Sequence, residues 1–305
     1  MLTDIEDGKK DVMAFHLAGI VPVAGQKLDF KFPWHDCLMP LEADYTALER
    51  AVFECAAVGC ETIWIVGHAG TQPLVRQKLG EAIIDPASIY QNSEMIYHRD
   101  KHHLRRRVVQ IYYIPIHPKD KDRRDSLGWS ILYGADTAYK MCSTISKWVA
   151  PTKYYCAFPF GIVPEKFVYQ HRIAIAEGKN VVFRYDEKTV KDDQYISFTF
   201  DFAEFKKARD GIKKYVADAW GKENQIPDKF YERTKRLKLS EIFKDLDLLN
   251  SNVVDLPSYH AIDSWSGYRK FMASPEAINL LNRKELFIYS DKSPIGEKDE
   301  SQSSN

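Results

Sequence analysis

The chain has 305 residues, with 43 basic and 43 acidic side chains, 45% hydrophobic residues and five cysteines. This length is ample for a buried core in one or two domains, and the balanced charge excludes a global field that would gather nucleic acid or anionic lipid. No apolar run approaches the roughly 20 residues that span a bilayer, and the first ten residues lack the apolar stretch of a signal peptide, so we expect a soluble, cytoplasmic protein.

The first predicted elements are a strand, a helix and a second strand. Residues 14–23 form a near-continuous apolar run, typical of a strand buried on both faces of a parallel sheet. After a loop of about twenty residues, Thr46 is placed to cap a helix, Glu49 to complete a capping box and Gly59 to end the helix. A strand over 62–66 follows directly, and this order predicts a right-handed βαβ unit in a parallel sheet.

The alternation continues, which predicts an α/β protein with a mostly parallel open sheet and helices on both faces. Residues 195–200 alternate in polarity, as a half-exposed strand does. The face formed by Ile242, Phe243, Leu246 and Leu249 predicts an amphipathic helix. The later predicted strands are 108–113, 154–163, 181–185 and 195–200, and the later predicted helices are 130–141, 202–219 and 240–249.

The five cysteines carry no metal-site or disulfide pattern. They are odd in number and show no CxxC spacing, which argues against a disulfide framework and against a zinc site. Free cysteine is among the most buried residue types, so we expect most of these thiols in the core. The residues are Cys37, Cys55, Cys60, Cys142 and Cys156.

The loop after the first strand is the first candidate site, because ligands of open α/β sheets bind beyond the carboxyl ends of the strands. Gly25, Gln26, Lys27 and Lys31 combine a flexible backbone with two cations. Such a loop suits phosphate binding by backbone N–H donation and charge neutralisation. The same residues are also typical of a solvated turn, and both interpretations stay open.

A second candidate is the basic run over residues 98–107, which contains three histidines and four arginines. Its charge density suits a phosphate-rich partner, and its paired histidines suit a metal ion. It is equally typical of a solvated segment that leads into the strand at Val108. The run has no interleaved aromatic residues for stacking on bases, so it gives no strong nucleic-acid signal.

Four blocks of the sequence resemble the sugar nucleotidyltransferases, and most nearly the UTP:glucose-1-phosphate uridylyltransferases. In the first block, over 20–68, the shared features are the strand ending in Ala24-Gly25, the segment Leu38-Met39-Pro40-Leu41 and the strand ending in Val66-Gly67-His68. The other three blocks are SLGWSI over 126–131, FPFGIVPE over 158–165, and the segment 239–271 with its HAIDSWSGY motif.

The resemblance implies a Rossmann-like GT-A fold and phosphoryl-transfer chemistry. In this family an oxygen of a sugar 1-phosphate attacks the α-phosphorus of a nucleoside triphosphate, and pyrophosphate leaves. The reaction depends on charge stabilisation, to which Mg²⁺ contributes. By position in their blocks, Glu165 and Asp263 are the implied metal ligands, since carboxylate oxygens suit this hard ion.

The resemblance also implies roles for residues of the first loop and of the second block. Lys27 and Lys31 would neutralise the triphosphate as catalytic residues, and the backbone of Ala24, Gly25 and Gln26 would cradle it. Gly128 would let the nucleotide or sugar approach the main chain.

The two carboxylates have structural alternatives. Glu165 is also consistent with a surface position at the end of a strand, and Asp263 with the N-cap of a helix.

Domain limits follow from the extent of the resemblance and from composition. One nucleotidyltransferase-like domain is expected over 12–272, preceded by a flexible start over 1–11 and followed by an extension over 273–305. The last 15 residues have almost nothing to bury, which is typical of disorder. Two further functions stay open: a GT-A glycosyltransferase that uses a nucleotide sugar, and a non-catalytic relative that binds a nucleotide or a partner.

Overall fold

A computed structural model describes most of the chain. Of the predicted site residues, Gln26, Lys27 and Lys31 lie outside the described part, as do residues 98–106 of the basic run and the expected flexible ends 1–11 and 291–305. None of the helices that the structure describes is long and apolar enough to cross a membrane. The described residues are 15–25, 28, 30, 32, 35–87, 107–117, 126–145, 149–176, 178–222, 238–278, 280 and 284–289.

Strands and helices alternate along the chain, as the sequence predicts. The strands are β1 (Leu17–Pro22), β2 (Pro40–Glu42), β3 (Tyr45–Thr46), β4 (Thr62–Gly67), β5 (Ala82–Ile84), β6 (Val108–Pro115), β7 (Lys153–Cys156), β8 (Gly161–Ile162), β9 (Val181–Arg184), β10 (Phe198–Asp201), β11 (Asn252–Asp255), β12 (His260–Ala261) and β13 (Phe287–Ile288). The helices are α1 (Ala47–Ala57), α2 (Gln72–Leu79), α3 (Leu127–Lys140), α4 (Glu165–Gln170), α5 (Arg172–Ala176), α6 (Phe202–Lys222), α7 (Leu239–Ile242), α8 (Trp265–Met272) and α9 (Pro275–Ile278).

Nine of the described strands form one sheet in the order β11-β9-β10-β7-β1-β4-β6-β5-β13. Its centre, β7-β1-β4-β6, is parallel throughout, which confirms the predicted βαβ arrangement. Antiparallel strands flank this centre, with β10 beside β7 and β5 beside β6. The sheet is therefore mixed at its sides and parallel in the middle, where the strands share one carboxyl edge.

Helices cover both faces of the sheet, as predicted. Along β1, Leu17 and Val21 belong to the core formed with α1, and Ala18 and Ile20 belong to the core formed with α3, α6 and α7. This two-sided burial explains the near-continuous apolar run of the first strand. On the α1 side, a Cβ atom at Gly19 would lie 3.0 Å from the Cys55 sulfur, so the helix packs closely against the bare backbone.

The local signals of the first helix are confirmed. The Thr46 amide donates to the Glu49 carboxylate at 2.8 Å, and the Thr46 hydroxyl accepts from the Glu49 amide, which completes the capping box. Gly59 follows the helix with φ +94°, a left-handed conformation that favours glycine. All five cysteines are buried and free.

The predicted strand over 154–163, in which Pro159 is an expected interruption, is wrong as one strand of the main sheet. β7 ends at Cys156, the chain turns through Pro159, and β8 leaves the main sheet to pair with β12. The prediction that 195–200 is half exposed is also wrong. β10 begins at Phe198 and lies between β7 and β9, so Phe198, Thr199 and Phe200 are all fully buried.

The predicted helix over 240–249 is shorter than expected. α7 ends at Ile242, and Leu249 is 96% exposed rather than on a buried face. The end of the predicted segment is held in a non-helical turn. The Asp247 carboxylate accepts hydrogen bonds from the amides of Leu249 and Asn250, and such side-chain bonds to the backbone compete with a helix.

The segment after residue 272 contributes to the main sheet. β13 pairs antiparallel with β5, with Phe287 opposite Ile83. Residues within the expected extension thus add an edge strand to the sheet. The predicted domain limits are not tested by this pairing and stay a prediction.

Candidate functional site

The carboxyl edge of the four central strands brings together the predicted first loop and several other segments. Past the strand ends, the amides of Val23 and Ala24 donate to the Val66 carbonyl at 2.9 and 3.1 Å. The Ile116 amide donates to the Gly67 carbonyl at 2.8 Å. Backbone hydrogen bonds therefore continue between three neighbouring strands at the edge where ligands of such folds bind.

Gly25 forms a tight turn against the start of α3. Its φ is +86°, and a Cβ atom there would lie 2.3 Å from the carbonyl carbon of Ser126. The Ser130 hydroxyl donates to the Ala24 carbonyl at 3.0 Å and holds the turn to the helix from the other side. The sequence-predicted residues Ala24 and Gly25 thus lie at the carboxyl edge, pressed against a helix N-terminus.

The first turn of α3 faces this glycine turn. Ser126 caps the helix by accepting from the Trp129 amide at 3.3 Å. The amides at the beginning of a helix have no partner within it, and together with the helix dipole they attract anions. Gly128 lies in this first turn, but its close contact is with α7, because a Cβ atom there would lie 2.4 Å from the Ile242 side chain. Its proposed contact with a ligand stays a prediction.

Two histidines near this edge, His35 and His68, were not assigned a role from the sequence. His68 directly follows β4, and His35 lies near it, since the charge of His68 contributes to lowering the His35 pKa. Burial is the main cause of that lowered pKa, and Asp36 opposes it. The His35 ring nitrogen Nδ1 contacts the Cys37 sulfur at 3.1 Å. The signal available in the sequence was a polar residue placed immediately after a buried parallel strand.

The loop after β1 docks on the late segment of the chain. Phe30 and Phe32 stack on each other and each meets the Trp265 ring edge-on, at centroid distances of 5.2 and 5.4 Å. Trp265 is the first residue of α8, two positions after Asp263. These contacts bring Phe30 and Phe32 next to the segment that carries Asp263.

Glu165 and Asp263 follow opposite ends of the short ribbon formed by β8 and β12. β8 and β12 pair antiparallel, with Gly161 opposite Ala261, and the Ile262 amide donates to the Phe160 carbonyl at 2.8 Å. Asp263 comes two residues after β12, and Glu165 begins α4 three residues after β8.

The predicted magnesium site with these two carboxylates stays a prediction. Within the described residues, no group of three or more His, Cys, Asp or Glu side chains could hold a metal ion. Glu165 begins α4, where a negative charge stabilises the helix dipole. Each carboxylate taken alone stays a predicted ligand.

Asp263 lies beside two tyrosines. Burial, reinforced by the charge of Asp263, raises the pKa of Tyr195 to about 12. Burial also raises the pKa of Tyr259, again with a contribution from Asp263. The Tyr195 amide donates to the Tyr259 hydroxyl at 3.1 Å, which ties the two segments together behind the carboxylate.

Comparison with solved structures identifies the architecture. No protein-family model matches the sequence, and no curated protein sequence matches it either. A Bacillus anthracis structure assigned as a glucose-1-phosphate thymidylyltransferase, in complex with sucrose, superposes with a TM-score of 0.51 at 10% identity, over 88% of this chain and 99% of the other. The chain has a nucleotidyltransferase fold.

A second structure of similar kind is the 4-diphosphocytidyl-2C-methyl-D-erythritol synthase of Anaerococcus prevotii. It covers 85% of this chain and 95% of its own length, at 14% identity and a TM-score of 0.45. At such identities the likeness concerns the fold, and specificity for UTP and glucose 1-phosphate stays a prediction.

The end of the basic run lies away from the candidate edge of this nucleotidyltransferase fold. The Arg107 guanidinium donates to the carbonyls of Gly59 and Cys60 at 3.2 and 3.0 Å, at the amino end of β4. It also lies 3.9 Å from the Asp85 carboxylate. Arg107 thus supports the loop between α1 and β4, on the opposite edge of the sheet from the glycine turn.

Proposed function

We propose that the chain is a nucleotidyltransferase that joins a nucleoside triphosphate to a sugar 1-phosphate and releases pyrophosphate. The observation that carries the proposal is the glycine turn at Gly25, held against the N-terminus of α3 at the carboxyl edge of the parallel strands. Backbone amides and a positive helix end at this edge of an open α/β sheet form a favourable site for phosphate groups.

Distinct roles follow for the residues of this edge. The Ala24 amide donates to the Val66 carbonyl, so Ala24 holds the turn in place. Gly25 lets the backbone pass close to the first turn of α3. Ser126 accepts from the third amide of α3, so the first two, of Leu127 and Gly128, are the donors that face a phosphate.

We propose that the loop after β1 supplies the positively charged side chains that the reaction needs. Lys27 and Lys31 neutralise charge that develops on the leaving pyrophosphate, which is the main catalytic requirement of phosphoryl transfer. Gln26 belongs to the same cradle. Glu165 and Asp263 would supply carboxylate oxygens to a Mg²⁺ ion, which would stabilise negative charge on the phosphates.

The test is pyrophosphate release. The full chain is incubated with magnesium, each nucleoside triphosphate in turn and a panel of sugar 1-phosphates, and the pyrophosphate is measured. Release that requires both substrates supports the proposal. No release with any pair rejects it.

A matched pair of glycine variants tests whether the activity depends on the glycine turn at Gly25. Gly25→Ala introduces a Cβ atom into the backbone of Ser126, whereas Gly211→Ala on α6 adds one in open space. We expect Gly25→Ala to lower kcat/KM for the triphosphate by about tenfold or more, and Gly211→Ala to leave it unchanged. Equal activity in the two variants would remove the glycine turn from the site.

A second candidate is a non-catalytic relative that binds a nucleotide. The observation that favours it is that Glu165 and Asp263 follow opposite ends of the β8–β12 pairing. In that case a nucleotide raises the melting temperature while no pyrophosphate is released. Nucleoside diphosphate release from a nucleotide sugar in the presence of an acceptor would indicate a GT-A glycosyltransferase instead.

A further inference from the structure

A buried ion pair lies under the turn that follows β7. Arg50 on α1 is 0% exposed, and its Nη1 donates to the Glu54 carboxylate at 2.6 Å. The other Glu54 oxygen accepts from the Tyr155 hydroxyl at 2.6 Å and from the Ser197 hydroxyl. The pair thus joins α1 to β7 and to the backbone just before β10.

Stability alone does not explain a charged pair in this place. Removing two charges from water costs free energy that their attraction often only balances, and apolar residues of similar volume are commonly as stabilising. A guanidinium differs from an apolar side chain because its N–H groups point in fixed directions. The role of Arg50 therefore depends on the group to which its second guanidinium nitrogen, Nη2, donates.

The second nitrogen of Arg50 holds the main chain of the candidate edge. Its Nη2 donates to the Phe158 carbonyl at 2.7 Å, two residues past the end of β7. The turn that begins there is tightly enclosed, since a Cβ atom at Gly161 would lie 1.7 Å from the Tyr195 carbonyl oxygen. The Phe160 carbonyl accepts from the Ile262 amide. Arg50 is thereby linked through one short turn to the segment that ends in Asp263.

We infer that Arg50 is a positioning residue, which fixes the turn 158–161 and through it the place of Asp263 at the carboxyl edge. Glu54 neutralises Arg50 and holds its guanidinium in the orientation that reaches Phe158. The catalytic consequence of this inference rests on the proposed function, but the positioning itself does not.

The test is amide hydrogen exchange in the full chain carrying Arg50→Met together with Glu54→Gln. This double variant leaves no unpaired charge and keeps an oxygen acceptor for Tyr155 and Ser197, so it removes mainly the bond to Phe158. We expect exchange of the Ile262 amide to become faster by about tenfold or more. The amides of β1 and β4 should keep their protection.

A second ion pair supplies the matched control. Arg172 and Asp85 form a two-bond pair at 2.9 and 2.5 Å, away from the turn 158–161. Arg172→Met with Asp85→Asn should leave exchange at Ile262 unchanged. Unchanged exchange in the Arg50 variant, or equal acceleration in β1 and β4, would overturn the inference, because the pair would then have no role or only a general stabilising one.

Nucleotide turnover separates the inference from the proposed function. If the wild-type chain releases pyrophosphate, the Arg50 double variant should lower kcat/KM by about tenfold with a loss of only a few degrees in melting temperature. If the wild-type chain releases none, the proposed function fails while the exchange measurement still decides the role of Arg50.

Discussion

The hydroxyl of Ser130 donates to the carbonyl of Ala24 at 3.0 Å, across 106 residues of sequence, and so binds the beginning of α3 to the turn that follows the first strand. The same hydroxyl lies 3.2 Å from the Ser126 carbonyl within the helix. One small side chain therefore couples the helix N-terminus and the glycine turn, the two parts that the proposed phosphate site requires.

Ser130→Ala should loosen this coupling. The variant leaves the buried Ala24 carbonyl without its donor, which costs about 1 kcal/mol of unfolding free energy, and it should weaken the binding of nucleoside triphosphate several-fold. Urea denaturation and nucleotide titration measure the two effects. Ser143→Ala removes an exposed hydroxyl that donates to the Tyr139 carbonyl and serves as the control. Equal effects of the two variants would contradict the role of Ser130.

Trp265→Ala should uncouple the loop after β1 from α8. Trp265 is 47% exposed, so its contribution to global stability is modest, while its contacts with Phe30 and Phe32 are each of the kind that contributes about 1 kcal/mol. We expect KM for the triphosphate to rise with a smaller change in kcat, as measured by steady-state kinetics. Met272→Ala, on the same helix and similarly exposed, should change neither parameter. An unchanged KM in Trp265→Ala would show that the contact between the loop and α8 does not affect nucleotide binding.

His35 should make the protein less stable in mild acid. Its pKa in the folded state is lowered, mainly by burial, below the ordinary value of about 6.5. The unfolded chain therefore binds more protons between the lowered pKa and 6.5, and unfolding free energy falls as pH decreases through that window. The slope from one group is at most about 1.4 kcal/mol per pH unit. Denaturation at several pH values between 7 and 5 should show a shallower slope in His35→Gln than in wild type, and identical slopes would exclude His35.

Lys153→Met should destabilise the fold at the amino end of β7. The Lys153 ammonium donates to the carbonyls of Ile175, Gly178 and Lys179 at 3.0 to 3.2 Å, and burial lowers its pKa. Methionine fills a similar volume but leaves the three carbonyls without their shared donor, at a cost of about 2 to 3 kcal/mol. Thermal or urea denaturation checks this.

The control for that measurement is Lys140→Met. Lys140 forms an exposed pair with Asp136 on the surface of α3, and surface pairs of this kind contribute little. We expect its unfolding free energy to stay within about 0.5 kcal/mol of wild type. A loss in Lys153→Met no larger than this would show that water replaces the ammonium at no cost.

The sequence predicted what local chemistry determines. Thr46 and Glu49 form their capping box within four residues, and the apolar run of β1 follows from burial on both faces, so each signal is contained in a short window. The parallel centre of the sheet and the glycine turn after β1 could be predicted for the same reason. These parts include the fold class and the place of the candidate site.

Features that depend on long-range register could not be predicted. The relation between Glu165 and Asp263 is set by the β8–β12 pairing, which joins residues about one hundred positions apart. Arg50 and Glu54 have the spacing of an exposed helical ion pair, yet every residue of α1 is buried, because further elements pack over its outer side. A single sequence carries no signal for the elements that cover the outer side of α1.

The pairing of β13 with β5 has a consequence for synthesis of the chain. Ribosomes complete β5 about 200 residues before they reach Phe287, and until then the outer hydrogen-bonding groups of β5 have no strand beside them. Until β13 is made, this edge of β5 can pair with a strand of another chain. The two residues of β13, made late, then cover this edge by pairing with β5.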